Sequence, residues 1–288
     1  MSDMLTAELC RLAVEKDGLS LRFIPEMLPQ GSYLSEVKKD GLSLSRVPEK
    51  FRTMEICKIA VAQNGRALQD VPKELRNLEI CSIAVAGNGS ALRDVPEVLK
   101  TREICKIAVA SNGLALRCVP KELIDPEICR IAVENYGSAL CCVPKELRDR
   151  EMCRTAVAQY GSALEFVPRE FIDREMCRIA FDGNGDVLKF IPREFRTREM
   201  CRIAVARNGL GLRNVPVEMR TIKLCRVAVA GNGMALEFVP VEKRTLKICI
   251  LAIKNSLDAL EFVPAKMRTP ELCQILVLEH EEEFYEDW

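Results

Sequence analysis

In the segment Thr101–Ile124, TREICKIAVASNGLALRCVPKELI, the apolar residues Ile104, Cys105, Ala108 and Val109 recur at i, i+1, i+4 and i+5. That spacing draws one apolar stripe along an α-helix and predicts a helix over the first half of the segment. The small side chains of Cys105 and Ala108 let a neighbouring backbone come close. The second half carries apolar residues at Leu116, Val119 and Leu123, but Pro120 forbids one continuous helix through it. The pattern predicts a short turn and then a second turn starting at the proline, an uneven helical hairpin.

The same pattern returns every 24 residues. Cysteines fall at Cys57, Cys81, Cys105, Cys129, Cys153, Cys177, Cys201, Cys225, Cys249 and Cys273, with Cys10 one residue out of phase. Prolines keep step from Pro48 through Pro264, and glycines from Gly41 through Gly233, failing at Leu257. Counting repeat starts from Thr6 gives eleven complete repeats and a final half. A period of this length marks a repeat architecture. The fold class predicted is all-α: one α-solenoid of about eleven and a half 24-residue helical hairpins over 1–278, degenerate over 1–52, followed by an acidic aromatic tail over 279–288. A leucine-rich-repeat-like solenoid is the alternative, because Ile80, Ile83, Val85 and Asn88 imitate its strand motif. The Ala-rich first halves favour helix over strand.

Punctuation supports the helix. Eleven of the twelve repeat starts are Thr, Asp or Asn, with Pro29 the exception. Such a side-chain oxygen can accept from the free N–H groups of a helix's first turn. Pro126 and Pro270 directly follow two of these caps, where a proline has no hydrogen bond to lose. Glutamate stands two residues after the cap in nine repeats, complementing the positive end of the helix dipole. The glycine after the helix is expected to take the left-handed conformation that ends it.

The unit T/D-x-E-I/M-C-x-I-A-V-x-x-N/Y-G-x-A-L-x-x-V-P-x-E-L resembles the repeat of an uncharacterised family, a domain of unknown function found in intracellular bacteria and other microbes that live with amoebae. The match runs in register through Glu103, Ala108, Val109, Asn112, Gly113, Ala115, Leu116, Glu122 and Leu123. Cys105 and Pro120 depart from it, replacing an aliphatic residue and a serine. The resemblance implies short α-helical repeats and a setting among secreted microbial effectors, with the host cytoplasm as their place of action. It implies no activity and no functional residues.

Composition narrows the chemistry. Of 288 residues, 42 are Lys or Arg and 42 are Asp or Glu, so no net basic charge marks the chain as a nucleic-acid binder. Six acids lie between Glu279 and Trp288, and with Phe284, Tyr285 and Trp288 they suit either a solvated acidic tail or a cap over the last repeat near Lys243, Arg244 and Lys247. Fourteen cysteines with no secretory pattern at Met1–Cys10 point to a reducing, cytoplasmic compartment. No apolar run reaches the roughly 18 residues a membrane span needs. The single histidine, His280, leaves Ser-His-Asp and Cys-His chemistry and most zinc sites without their parts. No cofactor and no metal is expected, and an enzyme lacks its signature.

Three stripes remain as candidates. The cysteine ladder reads as buried small-residue packing, one thiol per repeat and too widely spaced for a shared metal. Cys141 and Cys142 break it, with Cys118 equivalent to Cys142. The sixth repeat position holds Lys58, Lys106, Arg130, Arg154, Arg178, Arg202 and Arg226. Aligned along a solenoid they could track phosphates, though each except Arg226 has a Glu three residues earlier to neutralise it. The eighteenth position changes from Asp70 and Asp94 to Phe166, Phe190, Phe238 and Phe262. These phenylalanines are either a better-filled core, which the F-V/I-P adjacency favours, or an apolar binding strip. The sequence thus predicts a non-enzymatic scaffold binding a protein or peptide, with Arg130, Arg154, Arg178, Arg202, Arg226 and the four phenylalanines as its candidate surface. A nucleic-acid-binding helical repeat protein is the rival.

Overall fold

A computed structural model describes residues 30–269 apart from residue 184. The expected cap by the acidic tail, the first repeats before residue 30, Cys10 and Cys273 lie outside the described residues. The chain divides into two compact units, Met1–Gln159 and Tyr160–Trp288.

The described residues are helical throughout, with no strand, so the leucine-rich alternative is not what forms. Among the described residues, six α-helices fall in the first unit: α1 (Gln30–Lys39), α2 (Met54–Gln63), α3 (Leu78–Gly87), α4 (Arg102–Ser111), α5 (Pro126–Asn135) and α6 (Arg150–Gln159). Four fall in the second: α7 (Arg174–Gly183), α8 (Arg198–Arg207), α9 (Ile222–Gly231) and α10 (Leu246–Asn255). From α2 onward every one is capped as its sequence predicts. Thr53, Thr101, Thr197, Thr221 and Thr245 accept through Oγ1 from the N–H three residues on, and Asn77, Asp125, Asp149 and Asp173 through Oδ1.

The second half of the repeat differs from the expected hairpin. It forms no second α-helix but two 3₁₀ helices, such as Gly113–Cys118 and Lys121–Leu123 around Pro120. The proline forces the residue before it into an extended conformation, as at Val119 (ψ 130°), and this stops the first 3₁₀ helix. Six residues is long for this helix type, whose hydrogen bonds are poorly aligned. Side chains support it at both ends. Asn112 accepts at its start from the Leu114 N–H at 3.0 Å, and Asn64, Asn88, Asn208 and Asn232 repeat the bond.

The 3₁₀ carbonyls at the other end are held by an arginine ladder that the sequence reading missed. Arg76 donates from Nε to the Val71 carbonyl (2.9 Å), from Nη2 to that of Gln69 (3.0 Å) and from Nη1 to that of Asp94 in the next repeat (2.8 Å). Arg52, Arg196, Arg220 and Arg244 make the same triple contact, those to the next repeat falling on Asp70, Asn214, Phe238 and Phe262. One rigid guanidinium fork thereby closes its own 3₁₀ helix and ties it to its neighbour.

The core is the predicted stripe plus the inner side of the 3₁₀ helix. Ile104, Cys105, Ala108, Val109, Ala115, Leu116 and Val119 are buried, and so are their equivalents in almost every described repeat. Burying a residue such as Leu116 stabilises by roughly 1.5–3 kcal/mol. In the first unit each α-helix packs on the next, as α8, α9 and α10 do in the second. Cores built between successive repeats are the physical basis of a repeat array.

The regular spacing of glycine has a different cause from the one expected. No described glycine has positive φ. The helix ends instead through an extended residue such as Asn112 (φ −150°), which also caps the 3₁₀ helix. Glycine follows because the next repeat leaves no room for a side chain: a β-carbon on Gly89 would lie 2.1 Å from the Ala108 carbonyl oxygen, and one on Gly209 2.2 Å from that of Ala228.

Candidate binding surface

The sixth-position cations project from the exposed side of the α-helices, opposite the buried stripe. Their charge is largely spoken for. In the first unit Lys58 pairs with Glu79 (2.7 Å), Lys106 with Glu127 (2.6 Å) and Arg130 with Asp149 (3.3 Å). Each acid belongs to the next repeat, not to the position three residues earlier. In the second unit Arg178 pairs with Glu175 (2.7 Å) and Asp182 (3.0 Å), and Arg202 with Glu199 (2.6 Å), as the sequence spacing suggested. Hydrogen bonding to Arg202 holds the Glu199 carboxyl below the ordinary carboxylate value. Exposed pairs of this kind stabilise little, but they lower the positive field along the helices. Arg154 and Arg226 are exposed and form no ion pair with the described residues; Lys223 stands where Arg226 would have its acid.

Next to the ladder, Arg102 of α4 bridges to Asp125, the cap of α5, and to Glu127 at 2.8 Å. The Ile128 N–H first, and then Arg102, hold the Asp125 carboxyl below its ordinary value.

Phe166, Phe190, Phe238 and Phe262 all lie in the second unit. They are half-buried, neither core nor freely exposed. Their backbone is fixed where the arginine ladder reaches it, at the Phe238 carbonyl (2.6 Å from Arg220) and the Phe262 carbonyl (2.5 Å from Arg244). Lys189 Nζ stands 4.5 Å from the centre of the Phe190 ring. Between these residues in sequence the second unit also exposes aliphatic side chains at matching repeat positions: Val217 and Val241 at 56% and 65%, Ile222 and Leu246 at 53% and 46%. The sequence reading passed over these four, although Val217 and Val241 stand at a position that is charged in every repeat from Glu49 to Arg193, a signal available to it.

The ladder cysteines Cys57 through Cys249 are buried, as expected, and are not joined in disulfides. Burial pushes those of Cys57, Cys105, Cys129 and Cys177 up to about 11. Cys118, Cys141 and Cys142 are half-buried. Among the described residues no three His, Cys, Asp or Glu side chains come together to hold a metal, and no helix is long and apolar enough to cross a membrane.

Four successive segments, 37–76, 77–124, 125–172 and 173–220, match the family described as Domain of unknown function (DUF4116). They span well over half of the chain, which therefore belongs to this family of helical repeat proteins. The family unit takes two of the 24-residue repeats at a time: the segments beginning at 77, 125 and 173 start on the caps Asn77, Asp125 and Asp173. No curated protein and no solved structure matches the chain.

Proposed function

We propose that the chain is a non-enzymatic α-solenoid scaffold that binds a protein or peptide through the second unit, with Phe166, Phe190, Phe238 and Phe262 and the aliphatic residues around them as its contacts. The observation that carries this reading is the pairing of half-buried rings, those of Phe238 and Phe262 on backbone held by arginines, with aliphatic side chains exposed in consecutive repeats. A rigid apolar surface loses little conformational entropy on binding, and aromatic anchors dominate the energetics of protein interfaces. Partly neutralised cations favour this reading over phosphate binding, since salt-dependent affinity for a nucleic acid grows with the number of free cations at its backbone. Arg226, exposed in the same unit, serves as a rim charge that steers a partner. The setting proposed for such a scaffold is that of a secreted microbial effector acting in host cytoplasm, a reading in line with the family resemblance.

Affinity capture from a eukaryotic cell lysate, with and without nuclease, tests the reading. Captured protein that survives nuclease and moderate salt, and is lost with Phe238→Asp and Phe262→Asp together, supports it. Aspartate is the residue at this repeat position in Asp70 and Asp94, so the substitutions suit the local fold. Capture abolished by nuclease, or purified RNA binding with a steep salt slope, replaces it with the nucleic-acid reading.

A further inference from the structure

Cys141 and Cys142 are the only adjacent cysteines in the chain, and they end the 3₁₀ helix Gly137–Cys142. Their Sγ atoms lie 3.3 Å apart. One guanidinium serves both: Arg117, one repeat earlier, donates from Nε to Cys142 Sγ at 3.1 Å and from Nη2 to Cys141 Sγ at 3.4 Å. Both thiols are half-buried and so within reach of a small molecule, whereas the ladder thiols of the described repeats are sealed in the core. Neither packing nor the proposed scaffold makes use of this arrangement, since the same two positions hold Gln69 and Asp70 or Arg93 and Asp94 in other repeats.

The separation of the sulfurs selects what they can hold. A centre at about 2.3 Å from each thiolate, the usual zinc–sulfur length, would subtend an angle of about 92° between them. Tetrahedral zinc needs its sulfurs about 3.8 Å apart, and a linear two-coordinate ion about 4.6 Å. Among the described residues no third protein ligand is gathered beside the pair. A trivalent arsenic centre meets both conditions. Its lone pair makes it pyramidal with bond angles near a right angle, it is soft and favours sulfur, and it brings its own third substituent.

We propose that Cys141 and Cys142 form a two-sulfur site for trivalent arsenic compounds, with Arg117 as the residue that positions the sulfurs. With arsenous acid, two As–S bonds form and two As–O bonds break. The two thiol protons leave with the two oxygens as two waters, and arsenic stays trivalent with one hydroxyl. With an organic arsine oxide the As=O bond is replaced by two As–S bonds and one water leaves. Nothing is oxidised. Burial raises the Cys142 thiol against the lowering influence of Arg117, so that thiol rests protonated. Reactions that require a standing thiolate are thereby slowed, while exchange of thiol protons onto a departing oxygen remains open.

The probe is phenylarsine oxide, added to the full-length folded protein and followed by intact mass. The expected result is one adduct that survives excess monothiol and is removed by a dithiol. Cys141→Arg and Cys142→Asp, which copy the residues of other repeats, should each weaken retention by at least about a hundredfold, the advantage that two linked contacts hold over one. Cys142→Phe, copying Phe166, gives the same readout in a variant of different polarity, and thermal melting of all three reports folding separately. Arg117→Gln should slow capture yet leave the adduct resistant to monothiol; Cys118→Ser should change neither. An adduct as easily displaced by monothiol in the parent as in the single-cysteine variants would overturn the proposal, as would an undiminished adduct in Cys142→Asp or its loss in Cys118→Ser.

Discussion

Gly113 stands so close to Ala132, one repeat on, that a β-carbon on the glycine would lie 2.3 Å from the alanine carbonyl oxygen. Both members of that contact are fixed by backbone, so no side-chain rotation can relieve it. The same approach recurs from Gly41 to Gly233, which makes it the spacing gauge of the repeat.

Gly113→Ala should therefore destabilise the protein by about 3 kcal/mol or more, since overpacking against backbone is relieved only by moving two repeats apart. Gly183, at the end of α7, has nothing within 4 Å of its would-be β-carbon, and Gly183→Ala should be neutral to within about 1 kcal/mol. Denaturant unfolding of the two variants beside the parent measures the contrast.

Arg76→Met removes three hydrogen bonds to carbonyls and should cost about 2 kcal/mol, and Arg76→Lys should recover less than half of it, because an ammonium cannot fork across three acceptors. Chemical denaturation checks the order Arg, Lys, Met. Equal stability of the lysine variant and the parent would show that charge alone suffices.

The buried thiols set an alkaline limit. An unfolded thiol releases its proton near the ordinary value of 9.0, while Cys57, Cys105, Cys129 and Cys177 in the folded chain hold theirs to about 11. Above pH 9 the unfolded state binds fewer protons, so stability falls as pH rises; below it both states are protonated and these groups contribute no slope. Each adds up to about 1.4 kcal/mol per pH unit. Melting temperature from pH 7 to 10.5 should be level and then drop, and Cys105→Ala should reduce the steepness of the drop while lowering stability at pH 7.

Much of this was legible in the residues. The caps Thr101 and Asp125, the buried ladder at Cys105 and the break at Pro120 each act within a few residues of chain, where periodicity and turn chemistry speak directly. What escaped depends on a neighbour one repeat away. Gly113 announces a special position, but its reason is the Ala132 carbonyl. The spacing matches Lys106 to Glu103, three residues back, while the structure joins it to Glu127 across the repeat boundary. The arginine ladder was hidden twice over: Lys100, Ile124 and Ile172 interrupt it, and its partners are backbone carbonyls, which no side-chain pattern advertises. The six-residue 3₁₀ helix shows in sequence only as a turn, because an L-A-L-R-C-V run fits several short helical forms until Asn112 and the arginine forks are seen to hold one of them. For the candidate surface, the phenylalanines were visible, and their half-buried setting was not.

The scaffold reading is tested most directly by peptide display, which needs no known partner. The full-length chain and a variant carrying Phe166→Asp, Phe190→Asp, Phe238→Asp and Phe262→Asp are each presented with one random-peptide library, after thermal melting has shown both to be folded. The account predicts that the parent enriches a convergent set of peptides with apolar anchors and that the variant loses at least about tenfold of their affinity, the effect of removing roughly 1.4 kcal/mol from an aromatic contact. Peptides that bind the folded variant as tightly as the parent would contradict it.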